Sequence, residues 1–194
     1  MLKTLISLLG LALAVGAPLA AQQVPREAGA WTIQSPDGKP ISLADYKGKP
    51  VLLVFILTTC PHCQHTVELL SKLQPVYAPR GLQILASAID QEAPAAVPRF
   101  VSSMHPPFPV GFDDASAALS FAGYSLTRLP RMPVLLFIDR QGQVREQHDG
   151  AEPVYLGDQE EQNLRKSIDA LLAPAKPVPG KAAPPKTTTA QPRP

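Results

Sequence analysis

Val51-Leu52-Leu53-Val54-Phe55-Ile56-Leu57 is followed, across two threonines, by Cys60-Pro61-His62-Cys63. The first run has no polar residue, as expected of a central strand covered on both faces. Beyond it the apolar period becomes helical: Val67, Leu70, Leu73 and Tyr77 fall at three- and four-residue steps. The spacing predicts a helix from Pro61 to about Tyr77, kinked or ended early by Pro75. Glu68 and Lys72, four apart, give its exposed side weak support. A strand therefore hands the only two cysteines among 194 residues to the N-terminus of a helix.

That position suits sulfur chemistry. Unpaired N–H groups and the helix dipole favour an anion at Cys60. Pro61 fits the first helical turn, where its missing N–H costs nothing. His62 sits beside the sulfur and favours the thiolate further. Each influence makes the reduced form more stable and Cys60 a better leaving group, so a Cys60–Cys63 disulfide becomes more oxidising. Cys63, one turn on, is then the shielded, resolving thiol. As a staple the pair has little value, because its loop is too short to constrain the unfolded chain. The four residues point to disulfide exchange.

Working outward, Trp31-Thr32-Ile33-Gln34 and Ile41-Ser42-Leu43 alternate around Ser35-Pro36-Asp37-Gly38-Lys39-Pro40, which reads as a hairpin. Ala44 to Pro50 follows as a turn or one turn of helix. After Gly81, Leu82 to Ile89 reads as a strand ended by Asp90. A short helix is predicted from Val97 to Met104, with Pro98 in its first turn. Phe108 to Phe112 holds a short strand, and Asp113 or Asp114 caps a helix to about Phe121. Val134-Leu135-Leu136-Phe137-Ile138 is a second wholly apolar strand. It turns at Asp139-Arg140-Gln141-Gly142 into Gln143 to Gln147, a hairpin with its second strand at an edge. Asp158 and Glu161 read as a capping box for a last helix that buries Leu164, Ile168, Leu171 and Leu172. The alternation predicts an α/β fold, a mixed central sheet with helices on both faces.

The ends differ in composition. Residues 1–21 carry one lysine, an apolar stretch from Leu5 to Val15 and small residues from Ala17 to Ala21. This reads as a secretory signal peptide, short of the roughly 20 apolar residues of a spanning helix; an uncleaved anchor is the alternative. No cysteine follows to carry a lipid. Residues 174–194 are rich in Pro, Ala, Thr and Lys, and read as a disordered basic tail. The folded domain is expected over residues 22–173. A net charge of +2 with no basic stripe argues against nucleic acid as a partner.

The order of elements, with the C-x-x-C after the first long strand, resembles the thioredoxin fold, and more narrowly the exported TlpA/ResA-type thioredoxins. Leu43-Ala44-Asp45-Tyr46-Lys47-Gly48-Lys49-Pro50-Val51 is similar to that family's lead into the strand, and Tyr77 through Asp90 to its tyrosine, glycine and next strand. Tyr124-Ser125-Leu126 with Pro133 to Asp139 resembles its aromatic, cis-proline, strand and aspartate run. Gly142 and Gly150 stand where its closing hairpin has glycines, and Val97 to Gly123 matches its inserted strand–helix segment. The chain departs from the family at Thr59, usually Trp, at Val54, a buried Asp in thioredoxins, and at Thr66, a Glu in ResA-like members. Glu68 lies two residues beyond Thr66, at another helical angle, so the proton-handling carboxylate is unassigned. The central Pro61-His62 is closer to DsbA. The resemblance implies a cis bond at Pro133, turning Met132 toward the sulfurs to pair with an extended substrate. A trans Pro133 that opens a strand is the plain alternative, and Pro130 is a second proline to weigh.

The expectation is an exported, periplasmic thiol–disulfide oxidoreductase serving redox homeostasis. Cys60 is its nucleophile and Cys63 its resolving thiol. Pro61 and His62 tune the motif, while Met132 and Pro133 bind substrate. It needs no cofactor beyond the Cys60–Cys63 couple, and no metal. Its partners are extracytoplasmic protein thiols or disulfides and a membrane redox partner. The direction of exchange is open. Two other readings use the same sulfurs. Cys60, Cys63 and His62 or His65 offer ligands suited to copper or zinc. A peroxiredoxin-like peroxidase also has a Cys after a buried strand, usually with Thr three residues before; here that residue is Leu57. Covalent haem attachment needs His directly after Cys63, where Gln64 stands. His105 and His148 read as loop and edge residues, and Trp31 as packing for the small hairpin.

Overall fold

A computed structural model describes residues 24–125, 127–152 and 157–174. The segment read as a signal peptide, all but Pro174 of the tail, and Leu126 lie outside the described residues.

The all-apolar run forms β4, Val51–Ile56, buried at every position. It lies at the centre of a six-stranded sheet ordered β1-β8-β7-β4-β5-β6. Around it are β1 (Arg26–Glu27), β5 (Gln83–Ala88), β6 (Val110–Phe112), β7 (Val134–Ile138) and β8 (Gln143–Asp149). Strands β4, β5 and β6 run parallel, while β7 and β8 are antiparallel to their neighbours, so the sheet is mixed. Three helices, α1 (Pro61–Tyr77), α2 (Ala93–Met104) and α4 (Glu160–Leu172), pack on one face against Leu52, Val54, Ile84, Leu135 and Phe137. The other face carries α3 (Ala115–Phe121) and the small hairpin of β2 (Thr32–Ile33) and β3 (Ile41–Ser42). The two parallel crossovers step in the same direction across the sheet, which puts α1 and α2 on one face.

The small hairpin is tied down at two places. Trp31 packs 4.7 Å from Phe121 and 5.8 Å from Phe55, centroid to centroid, as expected of a packing residue. Gln34 exchanges backbone hydrogen bonds of 3.1 and 2.8 Å with Phe112, which occupies the open edge of β6. Gly111 is required there, because a Cβ would collide with the Gln34 carbonyl and the Ile33 side chain.

Four local expectations need correction. Helix α1 runs through Pro75 to Tyr77; burial of Leu70, Leu73 and Tyr77 outweighs the one lost backbone bond. Helix α2 begins at Ala93, one turn earlier than Val97, so Pro98 is interior and Pro94 takes the first turn. Ala93 is fully buried and donates its N–H to the Asp90 carbonyl at 3.0 Å, which starts the helix there. The Asp158–Glu161 box is not formed: the cap is Gln159, with no side-chain bond. Finally, β8 is not an edge along its first two residues. Arg26 and Glu27 pair with Val144 and Gln143, so the two-residue β1 satisfies backbone groups that an edge would leave open.

Candidate active site

Cys60 is the N-cap of α1, extended at φ −80° and ψ 120°, and its carbonyl accepts the Gln64 N–H at 3.0 Å. Its own N–H closes a turn onto the Leu57 carbonyl at 3.2 Å. Cys60 is partly exposed, with Pro61 and His62 exposed beside it. No side chain caps this helix end and no acidic residue stands in its first turn, so the field of the free N–H groups is unopposed at the sulfur.

Cys63 lies one turn behind and is completely buried. Both cysteines are free thiols. The Leu57 N–H donates to Cys63 Sγ at 3.3 Å. Burial pushes the Cys63 thiol well above the ordinary cysteine range; that N–H opposes the rise, and the nearby Cys60 and Asp90 add to it. The two sulfurs are thus made unlike by position alone, one open at a helix mouth and the other sealed and held protonated.

The sequence marks Asp90 only as the end of β5. In the fold it follows the parallel neighbour of β4, and both its oxygens accept the Thr58 N–H, at 2.8 and 2.9 Å. It therefore clamps the turn that leads into Cys60. The signal was topological: adjacent parallel strands bring the residues past their C-terminal ends together.

Val54 and Thr66 left the site without a carboxylate of the family's pattern. Thr66 is buried, and its hydroxyl donates at 2.6 Å to Glu160 of α4, itself only 3 % exposed. The second Glu160 oxygen lies 3.7 Å from His65 Nε2. Glu160 precedes Leu164, Ile168 and Leu171 on one helical face, so the apolar period extended back one turn would have marked it as inward. His62, His65, Asp158, Glu160 and Glu161 line a groove of about 450 Å³ between the starts of α1 and α4. Glu68 is exposed on α1.

Met132 and Pro133 stand where β7 begins, opposite the end of β4, with Phe55 paired to Val134. Their peptide bond is cis. Pro133 is buried, while Met132 is half-buried and borders both cores, as does Leu57 before the motif. Behind this loop the Gly150 N–H donates to the Arg131 carbonyl at 2.8 Å. A Cβ on Gly150 would come within 2.5 Å of the Met132 carbonyl oxygen, so only glycine fits. Asp149 accepts from the Tyr124 hydroxyl at 3.0 Å, which ties the same corner to the end of α3.

His148 is more engaged than an edge residue. It stacks edge-on to Phe137 and lies 2.7 Å from Glu152 and 3.4 Å from Glu146. His105 adopts a left-handed conformation at the end of α2, away from the motif. Among the described residues, no three His, Cys, Asp or Glu side chains gather as a metal-ligand set.

Comparison with known proteins agrees with this geometry. The Redoxin family model matches residues 20–168. The chain is 33 % identical over 125 residues to proteins named thiol-disulfide oxidoreductase ResA from Bacillus thuringiensis (strain Al Hakam) and Bacillus anthracis, covering 64 % of this chain and 69 % of each relative. A crystal structure from Chlorobium tepidum, described as a thiol:disulfide interchange protein DsbE, superposes with a TM-score of 0.64 at 25 % identity, over 76 % of this chain and 96 % of that one. The chain belongs to the Redoxin family as a ResA-like thiol–disulfide oxidoreductase of thioredoxin fold.

Proposed function

We propose that Cys60 is the attacking and Cys63 the resolving thiol of a couple that exchanges disulfides with protein substrates. The observation that carries this is the contrast between the sulfurs: Cys60 partly exposed at the α1 N-cap, Cys63 fully buried and protonated one turn behind. In the reducing direction, Cys60 thiolate attacks one sulfur of a substrate disulfide. A Cys60–substrate bond forms, the substrate S–S bond breaks, and the other substrate sulfur leaves as a thiolate and takes up a proton. Cys63 then loses its proton and attacks Cys60, freeing the second substrate thiol. Two electrons pass to the substrate and a Cys60–Cys63 disulfide remains. The oxidising direction is the reverse sequence.

Pro61 spares the first turn an unpaired donor, and exposed His62 adds to the field at the sulfur. Met132 offers backbone to an extended substrate beside Cys60, with Pro133 holding it in place. The domain occupies residues 22–173, with residues 1–21 directing export or anchoring the chain and 174–194 forming a tail. The compartment is extracytoplasmic and a membrane protein resets the couple. What supports this is the signal-like composition of residues 1–21; no helix among the described residues is long and apolar enough to cross a membrane.

The test is trapping. Cys63→Ala, incubated with a disulfide-bonded substrate such as insulin, accumulates a mixed disulfide at Cys60, while Cys60→Ala traps nothing. Trapping through Cys63 in the Cys60→Ala variant refutes the assignment. The reduction potential of the couple sets direction: near DsbA for an oxidase, near thioredoxin for a reductase.

A further inference from the structure

The active-site end of the molecule is electrically lopsided. On the face that carries α1 and α4, the groove beside Pro61 and His62 is lined by His65, Asp158, Glu160 and Glu161, with Glu160 3.7 Å from His65 and Glu161 paired to Arg165 at 2.8 Å. From the other face, the chain leaves α3 and crosses to Met132 through Thr127-Arg128-Leu129-Pro130-Arg131. Thr127, Arg128, Leu129 and Arg131 are exposed along this crossing, and Leu129 is 62 % exposed, more than any other large apolar side chain among the described residues. Neither Arg128 nor Arg131 has a carboxylate within ion-pair distance among the described residues. Two unpaired guanidinium groups therefore flank an exposed leucine immediately before Met132. The ridge is held from beneath: the Arg128 N–H closes a turn onto the Ser125 carbonyl at 2.9 Å, and the Arg131 carbonyl accepts from Gly150 at 2.8 Å.

We propose that the Arg128-Leu129-Pro130-Arg131 ridge selects substrate segments in which acidic side chains and an apolar residue flank the reacting cysteine. This rests on the exchange reading above and names its substrate class. An extended segment lying along Met132 with its sulfur at Cys60 must run over the ridge at one end. The apolar residue covers Leu129, and carboxylates meet Arg128 and Arg131, whose planar forks match them. Such charges act mainly on encounter and specificity, and salt screens them.

Three peptides test this. Each has a central cysteine disulfide-bonded to nitrothiobenzoate and flanked by leucine plus aspartate, serine or lysine. The reduced protein attacks the peptide sulfur, the peptide–Cys60 bond forms, and the coloured nitrothiobenzoate thiolate leaves and is followed by absorbance. Cys63 then displaces the peptide as a thiol, leaving the Cys60–Cys63 disulfide. At low ionic strength the acidic peptide reacts about tenfold faster than the serine peptide and the lysine peptide slower than both, and the spread collapses toward unity at about 0.5 M salt. The R128E/R131E double variant, changed only at exposed positions, inverts the order of the acidic and basic peptides. Equal rates for the three peptides at low salt, or an order unchanged in the double variant, overturn the ridge. If the wild-type protein releases no thiolate from even the serine peptide, the exchange reading itself fails and the ridge falls with it.

Discussion

Thr66→Val removes one hydroxyl and keeps the shape of the side chain, at a place where the loss is measurable. The Thr66 hydroxyl donates to Glu160 at 2.6 Å, with Thr66 buried and Glu160 3 % exposed. A hydrogen bond to a charged group contributes about 1.5–3 kcal/mol, and here both side chains are largely buried. The other Glu160 oxygen, 3.7 Å from His65, is too long a contact to compensate. The expected loss is about 2 kcal/mol, or about 4–8 °C in Tm for a domain of this size. Urea denaturation of the reduced protein measures it, with Thr66→Ser as the variant that restores the donor. Glu160→Gln and the double variant complete a cycle. Their coupling should recover about 1 kcal/mol, because the neutral amide that replaces the carboxylate makes a weaker bond for valine to remove. A Thr66→Val protein within about 0.5 kcal/mol of wild type would refute the reasoning.

Asp90→Ala strips the Thr58 N–H of both acceptor oxygens and should cost about 1–3 kcal/mol. It also removes a negative charge that raises Cys63, so the Cys63 thiol should titrate at lower pH than in wild type, read by thiolate absorbance in a Cys60→Ala background. Gly150→Ala places a methyl within 2.5 Å of the Met132 carbonyl oxygen; the strain should lower stability by about 1–3 kcal/mol and slow exchange by displacing Met132, seen in denaturation and insulin-reduction assays. The His148 cluster gives a pH window. Burial alone would lower His148, but hydrogen bonds and charges from Glu152 and Glu146 outweigh it and raise it. Its contribution to stability is therefore full below about pH 6.5 and fades as pH climbs through the raised folded value. Glu146 is lowered, chiefly by its hydrogen bond to His148, so its contribution holds above about pH 4.3 and is lost as pH falls through its folded value. The cluster should stabilise most between those limits, and His148→Gln should remove the fall in urea midpoint that wild type shows as pH climbs above about 6.5.

The active-site core was legible locally. A seven-residue all-apolar run reads as a covered strand, and a C-x-x-C followed by a 3.6-residue apolar period reads as a helix start. Those patterns placed β4, α1 and Cys60 at the helix start. Helix starts were harder, because the start of α2 at Ala93 and the cap of α4 at Gln159 depend on which side chains find space in the core. Residues 32 and 94 positions apart meet in the Asp90–Thr58 and Glu160–Thr66 pairs, and no local period encodes such meetings.

Sequence alone determined the two-sulfur motif and the alternation of strands and helices, since each depends on neighbours within a turn or a strand. The tertiary structure decided which carboxylates face the site, why residue 150 must be glycine and how β1 covers the last strand. The reason is that strand order and helix packing set those distances, and they are properties of the whole sheet.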